Sequence, residues 1–135
     1  MHLTHPLTLK IGRLGDHTFP AATYVYAGSA CGPGGLAARI ERHLRLNKPM
    51  HWHVDYLRPY VNVSCVFYSS AAQRLECTWS QALNQLPGTF IPVARFGASD
   101  CTTGCPAHLI GLPALITPEQ ITSALGRSTC VRIQT

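Results

Sequence analysis

The residue pattern predicts an α+β domain, with a small, mostly antiparallel central sheet flanked by helices. Three observations lead there. The 135 residues are enough to enclose one core without disulfides. Short stretches at Leu7–Ile11 and Thr23–Ala27 alternate in side-chain character, the period of a strand. Two longer stretches, one following Gly35 and one preceding Pro87, repeat apolar residues at helical spacing. Residues 1–135 are therefore expected to form one domain.

Taken in order, Leu7, Leu9 and Ile11 share a strand face, and Gly12 to Gly15 supplies the turn after it. In Thr23–Ala27, Tyr24 and Tyr26 point to one face and Val25 and Ala27 to the other. Gly32-Pro-Gly-Gly35 breaks the chain and opens a helix to about Leu46, with Leu36, Ile40 and Leu44 as its buried stripe. Asn47-Lys-Pro49 ends that helix. Val61 to Tyr68 is β-branched and aromatic, the composition of a central strand. Ala71 to Leu86 carries Leu75, Trp79, Leu83 and Leu86 on an amphipathic helix that Pro87-Gly88 stops. Phe96 to Pro106 reads as a loop. Thr117 is the N-cap of a short helix from Pro118 to Leu125, and Cys130 to Ile133 is a last strand.

Charged residues make up only 13% of the chain, against a typical ~25%, so each one present can be weighed singly. The net charge is +5, and nine of the eleven basic residues are arginine. Such a surface favours a polyanionic partner. No apolar run approaches the ~20 residues of a membrane span. The N-terminus lacks the basic segment and apolar core of a signal peptide. The expected location is the cytoplasm, with the six cysteines reduced.

Chemistry concentrates between Tyr24 and Arg58. Arg39 and His43 lie one turn apart on a helix, with Arg42 and Arg45 beside them. His51-Trp-His-Val-Asp-Tyr-Leu57 follows and adds two imidazoles, Asp55 and an aromatic surface, although Trp52 on its own reads as a packing residue. Guanidinium, imidazole and phenol together suit a phosphate-bearing substrate. Phosphodiester cleavage also calls for a carboxylate-held divalent ion, and Glu76, at the border of its helix's apolar stripe, is the best of six acidic residues. Separately, Cys101, Cys105 and His108 fall within eight residues, a partial zinc set. A structural zinc site wants four ligands, so the last would come from Cys65, Cys77 or Cys130. A loop with incidental thiols is the competing reading.

Several blocks, in order, are shared with one superfamily. They are Ile11-Gly-Arg-Leu-Gly15, Tyr24-Val-Tyr-Ala-Gly-Ser-Ala30, Gly34-Gly-Leu-Ala-Ala-Arg-Ile-Glu-Arg-His-Leu-Arg45, His51-Trp-His-Val-Asp-Tyr-Leu57, Leu75-Glu-Cys77 and Phe96-Gly-Ala-Ser-Asp-Cys101 with His108-Leu109. On these residues the chain resembles the Uri-type branch of the GIY-YIG nucleases. The resemblance implies a metal-dependent endonuclease hydrolysing DNA phosphodiesters, with Mg²⁺ or Mn²⁺ as cofactor. Tyr26 would be the signature tyrosine and Gly28 its glycine. Arg39 would stabilise developing phosphate charge, His43 would lie near the scissile phosphate, and Glu76 would hold the metal. Gly28, Ser29, Arg42, Arg45, Lys48, His51, His53 and Arg58 would contact the nucleic acid, and Asp55, Ser99 and Asp100 would form the rim.

The superfamily's first motif is a strand bearing Gly-x-Tyr. No tyrosine precedes Tyr24, so the expectation is a domain lacking that strand, with Tyr24 standing in as the base beside Tyr26. DNA is the expected partner, and the residues do not separate it from RNA. The rival readings are a non-catalytic nucleic-acid-binding module of the same fold and a zinc-stabilised interaction domain.

Overall fold

The computed structural model describes residues 1–134. Its strands are β1 (His2–Leu3), β2 (Leu7–Lys10), β3 (Asp16–Phe19), β4 (Ala22–Tyr26), β5 (Cys65–Tyr68), β6 (Leu109–Leu112) and β7 (Thr129–Arg132). Its helices are α1 (Gly35–Leu44), α2 (His53–Leu57), α3 (Glu76–Asn84) and α4 (Pro118–Leu125). All the pairings are antiparallel: a three-stranded sheet β1-β4-β6, a β2-β3 hairpin and a β5-β7 ribbon. This is the α+β architecture expected from the pattern.

β4 is the axis of the structure. It pairs Thr23 with Leu112 and Tyr26 with Leu109, so every residue of β6 is buried beside it. The alternation read from the sequence holds. Tyr24 and Tyr26 pack with Phe19, Phe96, Leu57 and Leu109, whereas Val25 joins the second cluster of Leu83, Ile110, Ile121 and Leu125. The α4 start is also as expected. Thr117 accepts from the Gln120 N–H while the Gln120 side chain accepts from Thr117, closing a capping box behind Pro118.

Three expectations need correcting. The segment from Val61 is not a central strand: only Cys65–Tyr68 pairs, and only with β7. β-Branched composition reported the burial of Val61 and Val63, which are core residues outside a ladder. The helix expected from Ala71 begins at Glu76, because nothing in Ala71–Arg74 is buried enough to hold a first turn. The stripe Leu36, Ile40 and Leu44 is only half-buried, and α1 has no buried residue at all. Between α1 and the strands lies a cavity of about 340 Å³ lined by Val25, Leu36, Ile40, Phe67, Trp79 and Ile121, among others. In addition, β6 flanks β4 in the three-stranded sheet, and its four residues Leu-Ile-Gly-Leu offer no alternation because all are buried.

What holds α1 in place is polar. Lys48 donates to the carbonyls of Arg42 and His43, and Arg58 donates to those of His43 and Leu44. These cations occupy carbonyls that the last helical turn leaves free, where the helix dipole also favours positive charge.

Candidate active site and metal-competent cluster

The site grows from Asp55, which is fully buried at the start of α2. Its Oδ2 accepts from the His51 and Trp52 N–H groups, each at 2.9 Å, and from Arg42 at 3.1 Å; Lys48 Nζ lies 2.9 Å from Oδ1. Burial alone would raise its pKa, yet hydrogen bonds from Lys48, Trp52 and His51 outweigh that and hold the carboxyl below its ordinary value. Asp55 is thus the hub that folds the His51–His53 turn, and not a rim residue.

That turn sets Trp52 against α1. The Arg39 guanidinium lies 4.3 Å from the indole centroid and that of Arg42 4.7 Å. His43 packs between Trp52 and Tyr26, with ring centroids 5.3 and 5.6 Å away. Burial, followed by the charges of Lys48 and Arg39, lowers the His43 pKa to about 4, so its imidazole is neutral at physiological pH. Its Nδ1 is buried without a partner. Tyr26 is pushed up to about 12, by burial first; Arg39 pulls the other way, and the charges of Asp55, Asp100 and Glu76 add to the rise.

Glu76 opens α3, and its Oε2 is buried with no partner. An orphaned carboxylate oxygen is what a cation-binding residue looks like without its ion, since an unpaired buried charge is otherwise costly. Among the described residues Glu76 belongs to no group of three or more metal-binding side chains. Among the described residues, one group of three or more metal-binding side chains converges, and it is a different one: Cys77, Cys101, Cys105 and His108, whose ligand atoms all lie within 4.8 Å of one another. This cluster could bind a metal such as zinc. Cys77, the residue after Glu76, is the fourth member, whereas Cys65 and Cys130 lie on the β5-β7 ribbon.

Other expected site residues are placed elsewhere. Tyr24 belongs to the core: it is fully buried, its hydroxyl donates to the Pro20 carbonyl at 2.6 Å, and burial pushes it up to about 12, which leaves no base there. The Lys48 side chain is 1% exposed and Arg58 is spent on carbonyls, including that of Val61, so neither can grip a phosphate backbone. Arg42 is shared between Asp55 and the Pro49 carbonyl. His53 accepts the Gly97 N–H on Nδ1 at 2.8 Å, and burial lowers its pKa. His51, stacked edge-on against Trp52, remains exposed, as do Gly28, Ser99 and Asp100; Arg45 is exposed but paired with Glu41, and Ser29 is half-buried. Two contributors were missed. Trp52 read as packing, but it is the platform for Arg39. Gly97 has φ +71° and no room for a side chain, because a Cβ would sit 2.8 Å from Tyr26 Cε2. A glycine directly after a core phenylalanine in a loop was the available signal.

Fold and site together define a small α+β domain that carries a cation-π-held arginine, a neutral histidine and a Cys₃His cluster. Residues 1–130 match the family described as "Domain of unknown function DUF123", and the chain belongs to that family. No curated protein and no solved structure matches it. Among the described residues no helix is long and apolar enough to cross a membrane.

Proposed function

We propose that this domain is a metal-dependent endonuclease acting on DNA phosphodiesters. The observation that carries the reading is the grouping of Arg39, His43 and Tyr26 on one aromatic scaffold, with the charge of Glu76 acting on Tyr26. Arg39, oriented by Trp52, offers paired donors to the non-bridging phosphate oxygens, and its charge opposes the negative charge that builds in the transition state. Such stabilisation is worth roughly 3–4 kcal/mol. Tyr26 stays protonated at neutral pH and can hold the attacking water or a phosphate oxygen. His43, neutral at physiological pH, packs between the Tyr26 and Trp52 rings and fixes both beside the phosphate. The Glu76 carboxylate would hold Mg²⁺ or Mn²⁺, which supplies charge neutralisation and a more acidic water when bound. His51 and Gly28, which are exposed, and Ser29, which is half-buried, would contact the nucleic-acid backbone.

The test is cleavage of supercoiled DNA by purified protein with Mn²⁺ or Mg²⁺. Nicking is expected from the parent and should be abolished in Arg39→Ala and Glu76→Gln. Cleavage unaffected by those substitutions removes the site assignment. Salt-sensitive binding with no cleavage under either metal leaves a binding module of the same fold.

A further inference from the structure

We infer that Cys77, Cys101, Cys105 and His108 form a structural zinc site that fastens the start of α3 to the segment between Phe96 and β6. Zinc takes four ligands tetrahedrally, at about 2.3 Å for sulfur and about 2.0–2.1 Å for nitrogen, which spaces neighbouring ligand atoms about 3.5–3.8 Å apart. Cys77 Sγ lies 3.6 Å from Cys101 Sγ and 3.6 Å from His108 Nε2. A disulfide would need about 2.05 Å, and all six cysteines are free thiols. Three sulfurs and one nitrogen complete the coordination number and leave no open position, so the site is structural and not catalytic.

The surroundings suit thiolates. The Thr103 hydroxyl lies 3.3 Å from Cys101 Sγ and 3.7 Å from Cys105 Sγ, and Gln81 Nε2 donates to Cys105 Sγ at 3.7 Å. Donors of this kind orient thiolate ligands and share their charge. The backbone is set independently of any metal: the His108 N–H donates to the Phe96 carbonyl and its own carbonyl accepts from Ala27, which fixes that residue at the edge of the sheet. On binding, each cysteine ligand releases its thiol proton to solvent and each sulfur donates a lone pair to Zn²⁺, with no change of oxidation state.

The consequence reaches the proposed site. Glu76 immediately precedes ligand Cys77, and Asp100 immediately precedes ligand Cys101. One zinc would thus fix the backbone next to Glu76 and Asp100, and its ligand His108 lies with Tyr26 against Gly97, whose Cβ position is 3.2 Å from His108 Cβ and 2.8 Å from Tyr26 Cε2. This part rests on the nuclease reading of Glu76, whereas the zinc site does not.

Metal analysis of the purified chain should find one tightly bound zinc per molecule. Exchange with Co²⁺ should give the intense thiolate-to-cobalt absorption of a tetrahedral site. Cys101→Ser, at a half-buried position that tolerates the change, should lose zinc on dialysis, while Cys31→Ser and Glu76→Gln keep it. Zinc-free parent, or retention by Cys101→Ser, overturns the inference. A zinc-loaded protein that never cuts DNA overturns the nuclease reading instead, and cleavage by a stable, zinc-free protein removes the positioning role.

Discussion

On one face of β4, Tyr24 and Tyr26 meet Phe19, Phe90 and Phe96 edge to face, with centroids 5.9–6.3 Å apart. On the other, Val25 looks across a cavity of about 340 Å³ toward α1. The first face is held by close-packed rings; on the second, α3 and α4 pack an apolar cluster while α1 is tied by charge at one end. The difference teaches where precision comes from. Tyr26 inherits its position from a rigid aromatic layer, whereas Arg39 and His43 ride on a helix whose apolar side is only half covered and whose register depends on Lys48, Arg58 and Asp55.

The largest effects should come from the anchor of each half. Phe96→Ala removes a fully buried ring from the dense face and is expected to destabilise by about 3–5 kcal/mol in denaturant unfolding. Asp55→Ala leaves Lys48 buried without its counter-charge and frees the His51 and Trp52 N–H groups, for a comparable loss of about 3–5 kcal/mol. The two should differ in what they disturb. Phe96→Ala loosens Tyr26, while Asp55→Ala releases α1 and quenches the Arg39–Trp52 contact, visible as a change in Trp52 fluorescence. Equal fluorescence changes in both variants would mean that the halves are not separately held.

Acid should act on the charged half first. The folded pKa of His43 is about 4 against an ordinary 6.5, so between those values the unfolded chain binds a proton that the native state refuses. Stability therefore climbs as pH rises through that window. Asp55 contributes in the same direction lower down: its lowered pKa adds stability above the unfolded value that is lost as pH falls through the folded one. Unfolding free energies measured from pH 4 to pH 7 should slope upward, and His43→Phe should flatten the slope. An unchanged slope would place the titration elsewhere, His53 being the next group whose burial gives the same sign.

These two halves were unequally legible in the sequence. The β4 alternation, the Thr117 cap and the Arg39–His43 spacing are local properties, and local periodicity exposes them. The role of Lys48 was not legible, since a lysine after a helix looks the same whether it reaches for phosphate or folds back onto its own carbonyls. Tyr24 and Tyr26 share one strand face, so periodicity offered Tyr24 as a stand-in for a base, and only the Pro20 carbonyl shows that its hydroxyl is spent in the core. Likewise Cys101, Cys105 and His108 lie close in sequence, but the choice of Cys77 over Cys65 or Cys130 is a long-range property of how α3 meets β6. β6 itself was missed because a fully covered strand loses the alternation by which strands are recognised.

The smallest expected effect is the most direct probe of the comparison. Leu36 points from α1 into the cavity and is half-buried, so truncating it removes few contacts and enlarges a space that already exists. Leu36→Ala should therefore cost less than about 1 kcal/mol, far from the 2–5 kcal/mol of a leucine in a close-packed core. Calorimetric or denaturant unfolding of this variant beside Phe96→Ala measures the ratio. A loss as large as that of Phe96→Ala would show that α1 closes onto β4 and β5 in solution, making its apolar stripe, and not Lys48 and Arg58, the principal tie. Arg39 and His43 would then be held as rigidly as Tyr26, and the contrast between the two faces of β4 would disappear.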